Sequence, residues 1–498
     1  MTGTGNRDSA IFLAMLVVVS GFFCFLIYLQ PDFFNHNSEY QWRVLNHGTK
    51  SALVWVPVLW TAILSAAFWL GSKFLTGANG AKANALAAGM IFLLGLASPL
   101  VFSQVNRFGA DELLVRVFVA DHTGYFTDAV KYRNRANLVK AYRENFSSLS
   151  THSRTHPPAD ALLFMALNRA AEKSPGLRGI YEAFVNLEDR KKIESAFGIG
   201  EADQAGGWLA LVMMMLAAAL SAVFGYFLAR KFFPAELSLT AGLILVTLPA
   251  FSAKTPVMDQ VFSVFILGAT LAAVGGRERK WGRGLAAGLI VGAGAWLSPG
   301  VWCAAILAPL LLAAEDLNSG WGANVKNITR DFLVIGIPAL LGALAMIELG
   351  QYLAGMSYRE VFELGRQGWH LNNAASGRVA VWKWMVFNPY EYFFWCSLPV
   401  FMGFLASVLS YVNSIWEKAE FIGKERNFLA ASILFMLALD LSGQICYESP
   451  RLFWFFLPIV AVISTFGLAK TVQNLHKLAF GAIFLTISFQ TALMCIIY

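Results

Sequence analysis

Asp121 opens the longest polar stretch of an otherwise apolar chain, ADHTGYFTDAVKYRNRANLVKAYRENFSSLSTHSRTHPP, over residues 120–158. A carboxylate in an interfacial loop can take the proton of a substrate hydroxyl. The same residue can equally cap a helix starting near Thr123, because an Asp side chain satisfies free N–H groups there. Asp128 stands two helical turns further on, where both acids can share one face. Perturbed acids gather at functional sites, and that rule favours Asp121 over Asp128 for chemistry.

The stretch closes on Arg154, His156, Pro157 and Pro158. Prolines suit the first turn of a helix. A helix N-terminus beside Arg and His is a ready phosphate site. The plainer reading is a rigid loop with exposed basic residues.

Further polar residues recur in later loops. Asp259 heads the apolar run of KTPVMDQVFSVF, either as a helix N-terminal acid or as a polar contact in a cavity. Lys254, nearby, either contacts a phosphate or snorkels. The segment GWHLNNAASGRVAVWKWMVFNPYEYF sets His370, Asn372, Asn373, Arg378 and Lys383 among aromatic rings. Such rings form interfacial belts, and with amides they also suit a sugar. Glu448 and Arg451 precede the run LFWFFLPIVAV. Arg451 can snorkel, pair with Glu448, or bind an anionic head group.

What positions these residues is set by composition. The 498-residue chain is 57% hydrophobic and 14% charged, against about 25% charged in soluble proteins. About thirteen apolar segments, near 10–29, 52–71, 83–103, 207–229, 235–251, 257–274, 284–297, 299–314, 331–353, 391–412, 428–442, 452–468 and 477–497, read as helices, since backbone groups in lipid must be satisfied within a segment. The expectation is an all-α polytopic membrane protein with about 11–13 transmembrane helices. It forms one transmembrane domain over 1–498, with a large external loop at 104–206 carrying amphipathic helices and a second at 354–390. The first apolar run has no cleavage site after it and reads as a retained span.

Lys and Arg fix the orientation. Lys73 and Lys82, Arg230 and Lys231, Arg277 to Arg283, Lys326 and Arg330, Lys418 to Arg426, and Lys470 and Lys477 all fall on one side of the count. The loops 104–206, 252–260, 354–390 and 443–451 then share the external face. The net charge of +7 fits basic loops against anionic lipid and calls for no nucleic acid. The five cysteines are scattered, without a CxxC pair, so neither a zinc site nor a disulfide framework is indicated.

Taken in order, these motifs resemble the GT-C superfamily of integral-membrane glycosyltransferases, which includes the protein O-mannosyltransferases and the bacterial aminoarabinose transferases. The resemblance runs from about residue 84 onward. It rests on Asp121 with Tyr125 and Tyr132, then Thr155-His156-Pro157-Pro158, then Asp259 and the Gly-rich run GLAAGLIVGAGAWLSPG, then Glu448, Arg451 and Pro458. The usual acidic pair is Asp121-His122 here, and Asp111-Glu112 is a rival placement.

The resemblance implies a sugar donor on a polyprenyl phosphate and a glycan, lipid or protein acceptor. Asp121 would be the base, with inversion at the anomeric carbon. Asp128, Arg154, His156, Lys254, Asp259, His370, Arg378, Glu448 and Arg451 would line the substrate site. Positive charge for the departing phosphate would come from Arg154, His156, Arg451, Lys254 or Arg378. Asp121, Asp128 and Asp259 could hold a divalent metal through water, and the sequence leaves that open. The expected place is a bacterial inner membrane, multi-pass, with the site facing outward. A transporter or flippase of lipid-linked sugars is the alternative. It calls for charges midway through spans and for paired repeats, of which Asp440 is the nearest instance.

Overall fold

The computed structural model describes residues 4–29, 52–77, 80–106, 108–274, 279–316, 321–375, 381–416, 423–443, 449–472 and 476–497. The described residues are helical, with no strand among them. Helices α1 (Thr4–Leu29), α2 (Ala52–Gly77) and α3 (Gly80–Ser103) lead into a run of shorter ones. These are α4 (Asp111–Phe118), α5 (Ala120–Tyr132), α6 (Arg135–Glu144), α7 (Thr151–Thr155), α8 (Ala159–Lys173), α9 (Pro175–Phe184) and α10 (Leu187–Phe197). The long α11 (Glu201–Phe232) follows, then α12 (Ala235–Leu245), α13 (Pro249–Ala253), α14 (Asp259–Ala273), α15 (Lys280–Ala295), α16 (Ala304–Asp316) and α17 (Trp321–Ala354). The amphipathic α18 (Tyr358–Ala375) precedes α19 (Val381–Cys396), α20 (Leu398–Trp416), α21 (Gly423–Leu441), α22 (Ser449–Leu452), α23 (Leu457–Thr471) and α24 (His476–Ile497).

Seven helices are long and apolar enough to cross a membrane: Ser9–Ile27, Trp55–Leu75, Gly80–Ser103, Glu201–Phe232, Ile328–Ala354, Trp454–Thr471 and Ala479–Ile496. A bent pair, Trp382–Cys396 with Leu398–Ser414, passes the same test as one unit. The helices Ala235–Leu245, Asp259–Ala273 and Pro299–Glu315 are apolar but shorter. The apolar segments read from the sequence are largely helical, and 235–251 divides into α12 and α13. Large apolar side chains lie exposed along α17, including Ile337, Leu340, Leu341 and Leu344. Water would penalise that surface, and lipid does not.

The 391–412 segment, expected as one span, departs from that reading. It breaks at Ser397, which adopts φ 80, and the two halves meet at 119°. A break in lipid frees backbone groups that need partners. Gln490 of α24 supplies them. Its amide nitrogen donates to the Phe394 carbonyl at 3.1 Å, and its oxygen accepts from Leu398 N at 3.1 Å.

Close helix packing relies on small residues. Gly284, Gly288 and Gly292, spaced four apart on α15, face the carbonyl oxygens of Ile335, Ala339 and Ala343 on α17. Any added Cβ there would overlap those carbonyls. This is the small-residue contact by which helices associate in lipid, where apolar burial gives no drive.

The short helices after α3 are set by their caps. Asn134, Ser150, Ser174 and Asn186 each accept a backbone N–H three residues on, opening α6, α7, α9 and α10. Gly198 closes α10 in the left-handed region. Helix α8 buries Asp160, Ala161, Phe164, Met165, Asn168 and Ala171, a helical stripe. It packs on α11 and α5. These helices thereby gather at one end of the bundle, over the start of α11.

Candidate active site

Arg451 and Asp259 meet at that end. Arg451 Nε lies 3.1 Å from Asp259 Oδ2, and the two side chains are only 12% and 13% exposed. The N–H is not aligned on the carboxylate as a hydrogen bond requires, so the contact is a charge pair fixed by distance. Asp259 begins α14, where the helix dipole favours an acid. Arg451 sits in α22, one turn ahead of α23.

The segment leading into Asp259 is fastened from α4. Arg116, buried and paired with Glu112 at 3.2 Å, donates to the carbonyls of Ala253 and Thr255 at 2.5 and 3.3 Å. Gln260 closes the same turn: its amide nitrogen donates to Thr255 Oγ1 at 2.5 Å and its oxygen accepts from Val257 N at 3.3 Å. Glu112 is thus part of the scaffold under the site. Asp111, on the same helix, is exposed.

His156 joins the pair through aromatic neighbours. Its ring stacks on Phe262 of α14, centroids 5.5 Å apart and 22° between planes. Tyr125 of α5 meets it edge-on at 5.5 Å. Its Nδ1 faces the His152 carbonyl at 3.3 Å and Thr155 Oγ1 at 3.1 Å. Burial pushes the His156 imidazole down to about 3, with His152 and Arg451 adding to the shift. This favours the neutral ring at neutral pH. The proton on Nδ1 suits the facing carbonyl and leaves Nε2 as a hydrogen-bond acceptor. The packing around His156 thus works against the positive charge expected of it.

Asp121 and Asp128 sit on the flank. The Asp121 carboxylate is exposed on the first turn of α5. Its carbonyl lies 2.8 Å from His152 Nε2, joining α5 to α7. Asp128 is buried, 1% exposed, and its Oδ2 accepts from Ser150 N at 2.9 Å. It caps the turn into α7. Arg154 Nη2 donates to Thr151 Oγ1 at 3.3 Å, and its carbonyl packs against Gly368 of α18. Lys254 is buried with Nζ 4.0 Å from the Trp395 ring centroid, a cation–π contact to α19. His370 is exposed on α18, its ring 5.0 Å from Trp369. Arg378 and Glu448 lie outside the described residues. Among the described residues, no three His, Cys, Asp or Glu side chains form a metal-binding group, so Asp121, Asp128 and Asp259 do not converge on one.

Two residues that the sequence reading passed over belong here. Tyr142 of α6 donates to the Ser153 carbonyl at 2.8 Å. Asp160 of α8 is fully buried, and neither carboxylate oxygen has a hydrogen-bond partner. Burial raises its pKa well above the usual carboxylate range, and Asp259 adds to the rise. Tyr125 and Tyr142 are likewise pushed up, first by burial and then by Asp160. In the fold Asp160 shares the helical stripe of Phe164 and Asn168, an acid on a buried face.

Comparison with known proteins is sparse. No family profile and no curated protein matches the sequence. Among solved structures the chain is similar to the Archaeoglobus fulgidus oligosaccharyltransferase, with a TM-score of 0.41 and 14% identity over 82% of this chain and 53% of that one. The chain spans about half the length of that protein.

Proposed function

We propose that the chain is an integral-membrane glycosyltransferase of the GT-C type, moving a sugar from a polyprenyl-phosphate donor to an acceptor hydroxyl at the external face. The observation that carries this reading is the buried Asp259–Arg451 pair, set beside His156 and the start of α8 at one end of an apolar bundle. In it, the acceptor oxygen attacks the anomeric carbon and its proton passes to the Asp121 carboxylate. The bond from that carbon to the phosphate oxygen breaks, and the phosphate leaves with the electron pair. Arg451 offers a cation to the phosphate in a site poor in water, where charge interacts strongly. Asp259 orients Arg451, and neutral His156 offers Nε2 to a sugar hydroxyl. The lipid tail lies among the helices, and the acceptor is a glycan, lipid or protein. The cell membrane of a bacterium is the proposed setting.

The test is transfer of radiolabelled sugar from a panel of polyprenyl-phosphate sugars by the purified protein in nanodiscs, wild type against Asp121→Asn. Transfer lost in the variant with donor binding retained supports Asp121 as base. Transfer that survives removes Asp121 from that role. Donor movement across a liposome bilayer without transfer favours a flippase instead.

A further inference from the structure

A carboxyl group with no exposure and no hydrogen-bond partner is costly, because its desolvation is not offset by any protein contact. Asp160 is in that position. Buried orphan groups call for an explanation outside the resting contacts. The groups coupled to it electrostatically lie on α14, α5 and α6. Asp259 acts on it from α14, Asp160 in turn acts on Tyr125 of α5 and Tyr142 of α6, and Asp128 also acts on Tyr142. His156 stands in extended backbone just ahead of α8, and Arg451 acts on His156 and Tyr125. The charge that bears on Asp160 is thus another acid, and Arg451 is paired with that acid.

We propose that Asp160 is a ligand-binding residue that works as a neutral carboxylic acid, donating its O–H to a phosphate oxygen held at the Asp259–Arg451 pair. A charged Asp160 would repel both Asp259 and an anion. A protonated one adds a donor next to the Arg451 cation and the free N–H groups that begin α8, which favour the same anion. That the anion is a lipid phosphate rests on the proposed function; the protonated state of Asp160 does not.

Two measurements test this on the full chain in nanodiscs. The first is the infrared carboxylic-acid C=O band at neutral pH, wild type minus Asp160→Asn. A band lost in the variant supports the neutral acid, and its absence in wild type overturns it. The second is binding of farnesyl phosphate against pH, with Asp160→Asn and Asp160→Ala. The expectation is about tenfold weaker binding in the Ala variant, recovered in large part by Asn, whose amide is also an uncharged donor. Wild-type binding falls as alkali ionises Asp160, and Asn removes that limb. Equal binding by wild type and Ala overturns the role. A wild type that shows the band but takes up no farnesyl phosphate overturns the lipid-phosphate ligand and, with it, the donor class proposed above.

Discussion

Arg451 Nε stands 3.1 Å from Asp259 Oδ2 in a setting where each side chain is almost dry. Removing either side chain takes this contact from the other charge in a setting poor in water, and breaking comparable buried pairs costs about 3–5 kcal/mol. Asp259→Asn and Arg451→Ala are each expected to lower thermal unfolding in detergent. The double variant should lose less than the sum of the two, since one shared contact can be lost only once. Additive losses would show that the two side chains are not coupled.

Much of the architecture was legible before the structure, because a helix in lipid announces itself by an unbroken apolar run. Asp259 and Arg451 were also visible as polar residues at the heads of such runs. Their pairing was not: Glu448 is nearer in sequence to Arg451, and no pattern in one chain says which distant acid a cation meets. Asp160 was hidden for a different reason. An acid just after two prolines reads as a solvated first-turn residue, and only the packing of α8 on α5 and α11 reverses that reading. The downward pull on the His156 imidazole comes from its packing, which residue type alone does not reveal.

Acid should act on His156 and Asp160 with opposite signs. The His156 value is depressed from an ordinary 6.5 to about 3. Its contribution to stability is full above about pH 6.5 and is lost as pH falls toward about 3, because the unfolded ring takes up a proton that the folded ring refuses. Asp160 is raised, so its contribution is full below the ordinary carboxylate value and is lost as pH rises through its elevated one. His156→Phe keeps a ring against Phe262. Unfolding midpoints across pH 3–7 should fall less steeply toward acid in that variant than in wild type. Parallel curves would show that folding does not lower the His156 pKa.

The α15–α17 contact makes a sharp contrast between glycines of one helix. A Cβ at Gly288 meets the Ala339 backbone, whereas one at Gly282 meets nothing. Gly288→Ala is expected to destabilise the protein despite alanine's better helix propensity. Gly282→Ala should be neutral or add up to about 1 kcal/mol. Thermal unfolding of the two variants in the same detergent decides it, and equal midpoints would mean that α15 and α17 are not held backbone to backbone.

The bend between α19 and α20 gives the last expectation. Ser397 sits at φ 80, a region that a residue with a Cβ enters at a cost and glycine enters freely. Ser397→Gly should therefore be tolerated or stabilising. Gln490 holds the same bend from α24, bonding Phe394 O and Leu398 N. Gln490→Leu has similar size and leaves both backbone groups unpaired where water is scarce, which costs about 1–3 kcal/mol per buried group. Combining the two changes should not restore stability, because glycine relieves the dihedral but supplies no hydrogen bond. Thermal unfolding of the single and double variants in one detergent measures this. A Gln490→Leu protein as stable as wild type would mean that the bend finds its partners elsewhere, and a destabilised Ser397→Gly protein would mean that the Ser397 side chain, not its backbone angle, holds the corner.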